Sequence, residues 1–162
     1  MAKLYFKFGA MKCGKTTDII KTYYNYKEKD LNVLIMKPGD DTKAGSKIQS
    51  RSGAELDTDY VVGADVNVYN LIGYHIINHN LDCIIVDEAQ FLTHKQVDEL
   101  TDVVDNYDIP VLCYGLRADA FSYMFPGSKR LFEVADVFEE LKALCKCGSK
   151  ATYNLRMNRI NN

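Results

Sequence analysis

The chain lacks an excess of basic charge. Its 20 lysines and arginines face 22 aspartates and glutamates, a formal charge of -2, and the isoelectric point is about 5.9. Nucleic-acid binders draw much of their affinity from neutralising phosphate, so this balance argues against a nucleic-acid partner. No apolar run approaches the roughly 18 residues of a membrane span, and Met1-Ala2-Lys3-Leu4-Tyr5 lacks the long apolar stretch of a signal peptide. No membrane is expected. Cysteine is odd in number, with five residues at positions 13, 83, 113, 145 and 147. That is a poor disulfide framework, which a reducing compartment would explain, so the expected location is cytoplasmic. Internal repeats and low-complexity tracts are also missing. What remains is ordinary globular material: 162 residues, 47% hydrophobic and 26% charged, enough for one domain and a small appendage.

Along the chain, strand-like and helix-like segments alternate. Leu4 to Phe8 is rich in β-forming residues and stops at Gly9. From Thr16 to about Lys29 there is no Gly or Pro, and Ile19, Ile20, Tyr23 and Tyr24 recur at helical spacing. Asn32 to Met36 reads as a second strand, ended by Pro38-Gly39, and Asp40 to Gly53 reads as an irregular polar loop of a length that is often functional. Val66 to Asn78 is a weaker helical pattern. Cys83-Ile84-Ile85-Val86 is a continuous apolar run, as a strand covered on both faces requires. Val97, Leu100, Val104 and Tyr107 mark a helix face, and Pro110 to Tyr114 is another buried strand. The alternation predicts an α/β fold with a parallel sheet between helices. The pattern changes after Pro126. The expected division is therefore a main core over 1–137 and a small second unit over 138–162.

Gly9-Ala10-Met11-Lys12-Cys13-Gly14-Lys15-Thr16 matches the G-x-x-x-x-G-K-[ST] pattern of a phosphate loop, with a strand before it and a helix after it. Two glycines let the backbone curl so that its N–H groups face phosphate oxygens, and the helix start adds its positive dipole end. Lys15 supplies a cation for the β- and γ-phosphates, and the Thr16 hydroxyl is a hard oxygen donor for Mg²⁺. The cofactor expected is ATP with Mg²⁺. The alternative is a glycine turn followed by a solvated lysine.

The apolar strand at 83–86 ends in Asp87-Glu88. Carboxylates at the carboxyl end of a parallel strand stand where ligands bind in open α/β sheets. Asp87 can share the Mg²⁺ with Thr16, and Glu88 can accept a proton from an attacking hydroxyl or orient water. Alternatively, the pair caps the following helix. Cys145 and Cys147, followed by Gly148, could supply two zinc ligands in a tight turn, or could be small hydrophobes at a strand end.

The phosphate loop continued to Thr17 and the run Asp87-Glu88-Ala89-Gln90-Phe91 resemble the type II thymidine kinases, most closely the bacterial branch. So do Lys37-Pro38-Gly39-Asp40-Asp41-Thr42-Lys43, Ser50-Arg51-Ser52-Gly53, Tyr114-Gly115-Leu116-Arg117-Ala118-Asp119 and Glu140 to Gly148. The resemblance implies a RecA-like P-loop NTPase core with a zinc-ribbon-like C-terminal subdomain, of which 138–162 would be the start. It implies transfer of the γ-phosphate of ATP to the 5′-hydroxyl of thymidine or deoxyuridine, a structural Zn²⁺ at Cys145 and Cys147, a homotetramer, and feedback inhibition by dTTP. It places the general base at Glu88 and nucleotide contacts at Gly9 to Thr16 and Asp87 to Gln90. Asp41 falls on a loop acid associated with the metal and phosphates, and Lys43 and Arg51 on phosphate contacts. Met11, Phe91, Leu116, Ala120 and Phe125 fall on the thymine pocket.

Two departures stand out. Relatives have an Asp-Phe pair where this chain has Asp119-Ala120, with Phe121 following. Either the aromatic has moved by one position or the pocket is reshaped. Relatives also continue beyond the 155–156 region, into a segment that supplies base contacts and further zinc ligands, so an incomplete pocket is the expectation for these 162 residues. Two rival functions fit the same motifs. A P-loop ATPase coupled to motion or nucleic acid also uses an Asp-Glu pair, but the acidic balance and small size count against it. A non-catalytic zinc-bearing nucleotide sensor would not need Glu88.

Overall fold

A computed structural model describes residues 1–11, 13–39, 47–144 and 150–151. Six strands form one parallel sheet: β1 (Leu4–Gly9), β2 (Val33–Pro38), β5 (Tyr60–Val62), β6 (Cys83–Val86), β7 (Val111–Leu116) and β8 (Val137–Glu140). Their order is β5-β2-β6-β7-β1-β8, and every neighbouring pair is parallel. The remaining strands pair as two small antiparallel ribbons, β3 (Lys47–Gln49) with β4 (Glu55–Asp57) and β9 (Ala143–Leu144) with β10 (Lys150–Ala151). Among the described residues, no helix is long and apolar enough to cross a membrane.

Side-chain alternation along the strands divides the core in two. Leu4 and Phe6 of β1, Leu34 and Met36 of β2, Ile84 and Val86 of β6, and Val111 and Cys113 of β7 face one side. There they meet Ile72 of α2 (Val68–Asn78), Leu100 and Val103 of α3 (His94–Tyr107), and Leu131 of α4 (Pro126–Val134). Ile35, Cys83, Ile85, Leu112 and Tyr114 face the other side, against Ile19 and Ile20 of α1 (Lys15–Lys27). Period-two alternation in fully covered strands explains why their sequences read as unbroken apolar runs. All four residues of β6 have no exposed surface.

The helices begin where local chemistry allows. Thr93 and Gln96 form a reciprocal capping box at the start of α3. Asn67 caps α2 by accepting from the amide of Asn70, and α4 opens on Pro126, whose missing N–H would be unsatisfied there anyway.

Three elements differ from the sequence reading. The loop expected over 40–53 contains β3, which pairs with β4 and buries Ile48 and Leu56 against the α1 side of the core. The change of pattern after Pro126 is α4, and β8 then joins the main sheet beside β1, so that sheet runs beyond the expected boundary at 137. Cys13, Cys83 and Cys113 are free and buried. Cys145 and Cys147 lie outside the described residues.

Candidate active site

The loop from Gly9 to Lys15 joins the carboxyl end of β1 to α1. Gly14 caps the helix with φ of 85° and ψ of 20° and makes no side-chain cap hydrogen bond. A residue with a Cβ is strained in that left-handed conformation. With no capping side chain, the first amides of α1 present their N–H groups beyond the helix end. Asp18, in the first turn, does not compete for them, because its carboxylate accepts from Lys7 Nζ at 3.2 Å and from the Tyr114 hydroxyl. Lys12 lies outside the described residues.

Cys13 to Thr17 line a cleft of about 640 Å³ together with Gln49, Ser50, Arg51 and Ser52. Gln49 ends β3, and the other three belong to the turn between β3 and β4. Ser50 Oγ accepts from the amide of Ala54 at 3.2 Å and meets Ser52 Oγ at 2.8 Å, which shapes the turn and sets Arg51 in the cleft. An arginine on the same cleft as the phosphate loop suits a phosphate oxygen. Asp41 and Lys43 lie outside the described residues.

Asp87 continues the line of β6, and its amide donates to Met36 O at 2.9 Å. Val86 faces the α2–α4 side, so alternation turns Asp87 toward α1 and the phosphate loop. Lys37, next to Met36, shares that parity. In agreement, the charges of Lys15 and Lys37 both act on Asp87. The Asp87 carboxyl is nonetheless pushed up to about 6, first by burial and then by the negative charge of Glu88. One strand, β7, separates β6 from β1. Two strand spacings are about 10 Å, a gap that a triphosphate and its cation can bridge.

This donor set fits Mg²⁺. The ion takes hard oxygen ligands, usually one or two carboxylates with a hydroxyl, water and substrate phosphates. A buried carboxyl held above its ordinary range gains from a nearby divalent cation, and Thr16 stands on the same cleft as Lys15. Among the described residues, no group of three or more His, Cys, Asp or Glu is arranged to hold a metal by protein ligands alone.

Glu88 is partly exposed and adopts a left-handed backbone, φ 53° and ψ 36°. Its amide donates to Asp87 Oδ1 at 2.8 Å, and its carboxylate accepts from Gln90 Nε2. Left-handed residues other than Gly cost of order 1–3 kcal/mol and persist where surrounding structure demands them, often at functional sites. A short 3-10 turn, Ala89–Phe91, follows, with Ala89 and Gln90 buried. Phe91 emerges from it 58% exposed and packs edge-on against Phe125, ring centres 5.4 Å apart and tilted by 76°. Leu116 ends β7 and is partly buried, while Met11 of the phosphate loop is 60% exposed.

The segment from Ala118 to Met124 doubles back on itself. Asp119 Oδ1 accepts from the amides of Phe121 and Tyr123, at 2.8 and 3.1 Å. Phe121 stands at its tip, 70% exposed, and Ala120 is partly exposed. Four contributors carry no site role in the sequence reading. Lys37 has a signal in hindsight, as a cation at the carboxyl end of the strand beside β6. Ser50 and Ser52 carry only the general turn preference of serine. Ser128, which donates to Leu116 O, has no local signal because that contact spans the fold.

A family model described as thymidine kinase matches residues 2–162. The chain is 45% identical over 159 residues to a thymidine kinase of Haemophilus influenzae, covering 98% of this chain and 82% of that protein. It is 47% identical over 158 residues to a thymidine kinase of Rhodopirellula baltica, covering 97% and 74%. A thymidine kinase of Idiomarina loihiensis is 40% identical over 164 residues, covering 100% and 84%.

Proposed function

Since the chain belongs to the thymidine kinase family and phosphorylates thymidine with ATP, we propose a role for each part of the site in that transfer. The observation that carries the assignment is the Asp87-Glu88 pair at the sheet edge, with Asp87 under the charge of Lys15. The amides of the Gly9 to Thr16 loop hold the ATP phosphates, and Lys15 neutralises charge on the β- and γ-phosphates. Thr16 and Asp87, with Asp41, would hold Mg²⁺, which when bound screens the phosphate oxygens from the incoming hydroxyl. Arg51, on the same cleft as the phosphate loop, would add a phosphate contact, and the family resemblance gives Lys43 the same role.

Glu88 accepts the proton of the thymidine 5′-hydroxyl as that oxygen bonds to the γ-phosphorus. The bond from the γ-phosphorus to its bridging oxygen breaks, and ADP departs with the charge that Lys15 stabilises. Met11, Phe91, Leu116, Ala120 and Phe125 wall the base. Ala120 and the exposed Phe121 favour a reshaped pocket over an aromatic shifted by one position. Deoxyuridine fits the same walls, and purine nucleosides are too large for them.

The test is Glu88→Gln, which keeps shape and removes the base. Turnover should fall by roughly 10² to 10⁴ while nucleotide binding persists. Lost ATP affinity with unchanged single-turnover chemistry would reject Glu88 as the base.

The same reading includes a structural Zn²⁺ with Cys145 and Cys147 among its ligands, in a small unit that follows the main sheet. Its support is the spacing of the two cysteines before Gly148. Elemental analysis should find about one zinc per chain, and metal-free protein from chelator-free preparation would reject it. A homotetramer, feedback inhibition by dTTP and a cytoplasmic location complete the reading. They rest on the family and on the cysteine usage.

A further inference from the structure

Gln90 is 1% exposed, yet its side chain is fully engaged in a polar bridge. Nε2 donates to the Glu88 carboxylate, and Oε1 accepts from the amide of Leu116 at 3.2 Å. The amide thus spans from the end of β6 to the end of β7. The space around it is shaped to keep it there. A Cβ on Gly115 would stand 2.9 Å from Gln90 Oε1 and 3.0 Å from its backbone nitrogen. On the other side, a Cβ on Gly127 would collide with the Ala89 carbonyl oxygen and stand 2.9 Å from that of Gln90. The 3-10 turn is therefore clamped between the end of β7 and the start of α4. Ser128 adds a second hold on Leu116 by donating to its carbonyl oxygen.

We infer that Gln90 is a positioning residue that aims the Glu88 carboxylate at the nucleoside hydroxyl and ties that aim to Leu116 in the pocket wall. This rests on Glu88 being the general base. A side chain buried to this degree has almost no surface to offer ATP or thymidine, so its effect must pass through the groups it bonds. Glu88 needs such a partner. It is partly exposed, its backbone is left-handed, and a glutamate has three rotatable side-chain bonds. Reacting atoms must be held within about 3–3.5 Å for efficient transfer, so a wandering carboxylate loses rate steeply. Because one amide contacts both Glu88 and Leu116, movement of the pocket wall on filling would be felt at the base.

Gln90→Leu keeps the approximate volume and removes both hydrogen bonds. Gln90→Glu keeps an acceptor for Leu116 and, when ionised, sets a like charge against Glu88 in place of the donor. Gln90→Met, unbranched, stands in where leucine disturbs the fold. With full-length protein, we expect both Gln90→Leu and Gln90→Glu to lower kcat by roughly 10- to 100-fold. KM for ATP and thymidine should stay within about threefold, because the Gln90 side chain, on which the resemblance places a nucleotide contact, is too buried to make one. In a Glu88→Gln background, Gln90→Leu should cost less than about twofold more, since residues acting as one unit are not additive. A raised KM for ATP with kcat retained would overturn the inference in favour of a nucleotide contact. So would wild-type kcat in Gln90→Leu, which would show that Glu88 is aimed without its partner, or an undiminished loss in the Glu88→Gln background. Full turnover in Glu88→Gln alone would instead reject the base assignment, and this inference with it, before the second substitution is made.

Discussion

Asp87 shows how a single residue trades stability for chemistry. Its folded pKa of about 6 lies above the ordinary value of 3.8, because burial and Glu88 disfavour its charge. The folded chain then holds that proton more tightly than the unfolded chain does. The stabilisation this gives is fully present below about pH 4 and is lost as pH rises through 6. At neutral pH the ionised side chain works against folding by an amount of the order of 2 to 3 kcal/mol. Asp87→Asn keeps an oxygen to accept from the Glu88 amide and removes the charge. Without nucleotide or divalent metal, the variant should melt several degrees above the parent at pH 7.5, with the gap closing near pH 4. It should also lose phosphoryl transfer. Equal melting temperatures at both pH values would mean that the carboxylate is compensated by groups beyond Lys15 and Lys37.

Among the elements, the β3–β4 ribbon links the core to the phosphate cleft. It was not legible in the sequence. Two strands of three residues are too short to show a period, and Ser50 to Gly53 reads equally well as loop. Tertiary contact decides the matter, since Ile48 and Leu56 are buried in the cluster that holds Ile19 and Ile20. The longer elements, α1, β6 and α3, were legible because each carries a full run of its own pattern. At α4 the sequence does offer Pro126 at a helix start, but a nine-residue helix ahead of a half-exposed edge strand resembles a change of domain. Ile48→Ala should cost about 2–4 kcal/mol of stability. If the ribbon presents Arg51 to phosphate, the same variant should raise KM for ATP several-fold while leaving kcat nearly unchanged. A stability loss without any change in KM would confine the ribbon to a packing role.

For the whole molecule, the decisive fact is strand order. The residues at 9–16 and 87–90 were recognisable one motif at a time, but no local pattern says that β7 lies between their strands. The order β6-β7-β1 places both motifs at the carboxyl edge of one sheet, and the clamp around Gln90 brings β7 and α4 to the same edge. A ligand seated there touches segments that depend on the entire sheet, so binding should stabilise the fold as a unit. For one site, ligand at a hundred times its dissociation constant adds about 2.7 kcal/mol. At roughly 2–4 °C per kcal/mol for a chain of this size, saturating Mg²⁺ with a non-hydrolysable ATP analogue should raise the melting temperature by several degrees. Lys15→Ala should keep the unliganded melting temperature and lose most of that rise, because the substitution removes a phosphate contact and no core packing. Hydrogen exchange should report the same linkage, with the analogue slowing amides in both 13–18 and 87–91. Protection confined to the phosphate loop would show that the two motifs, although neighbours at the sheet edge, do not share one ligand.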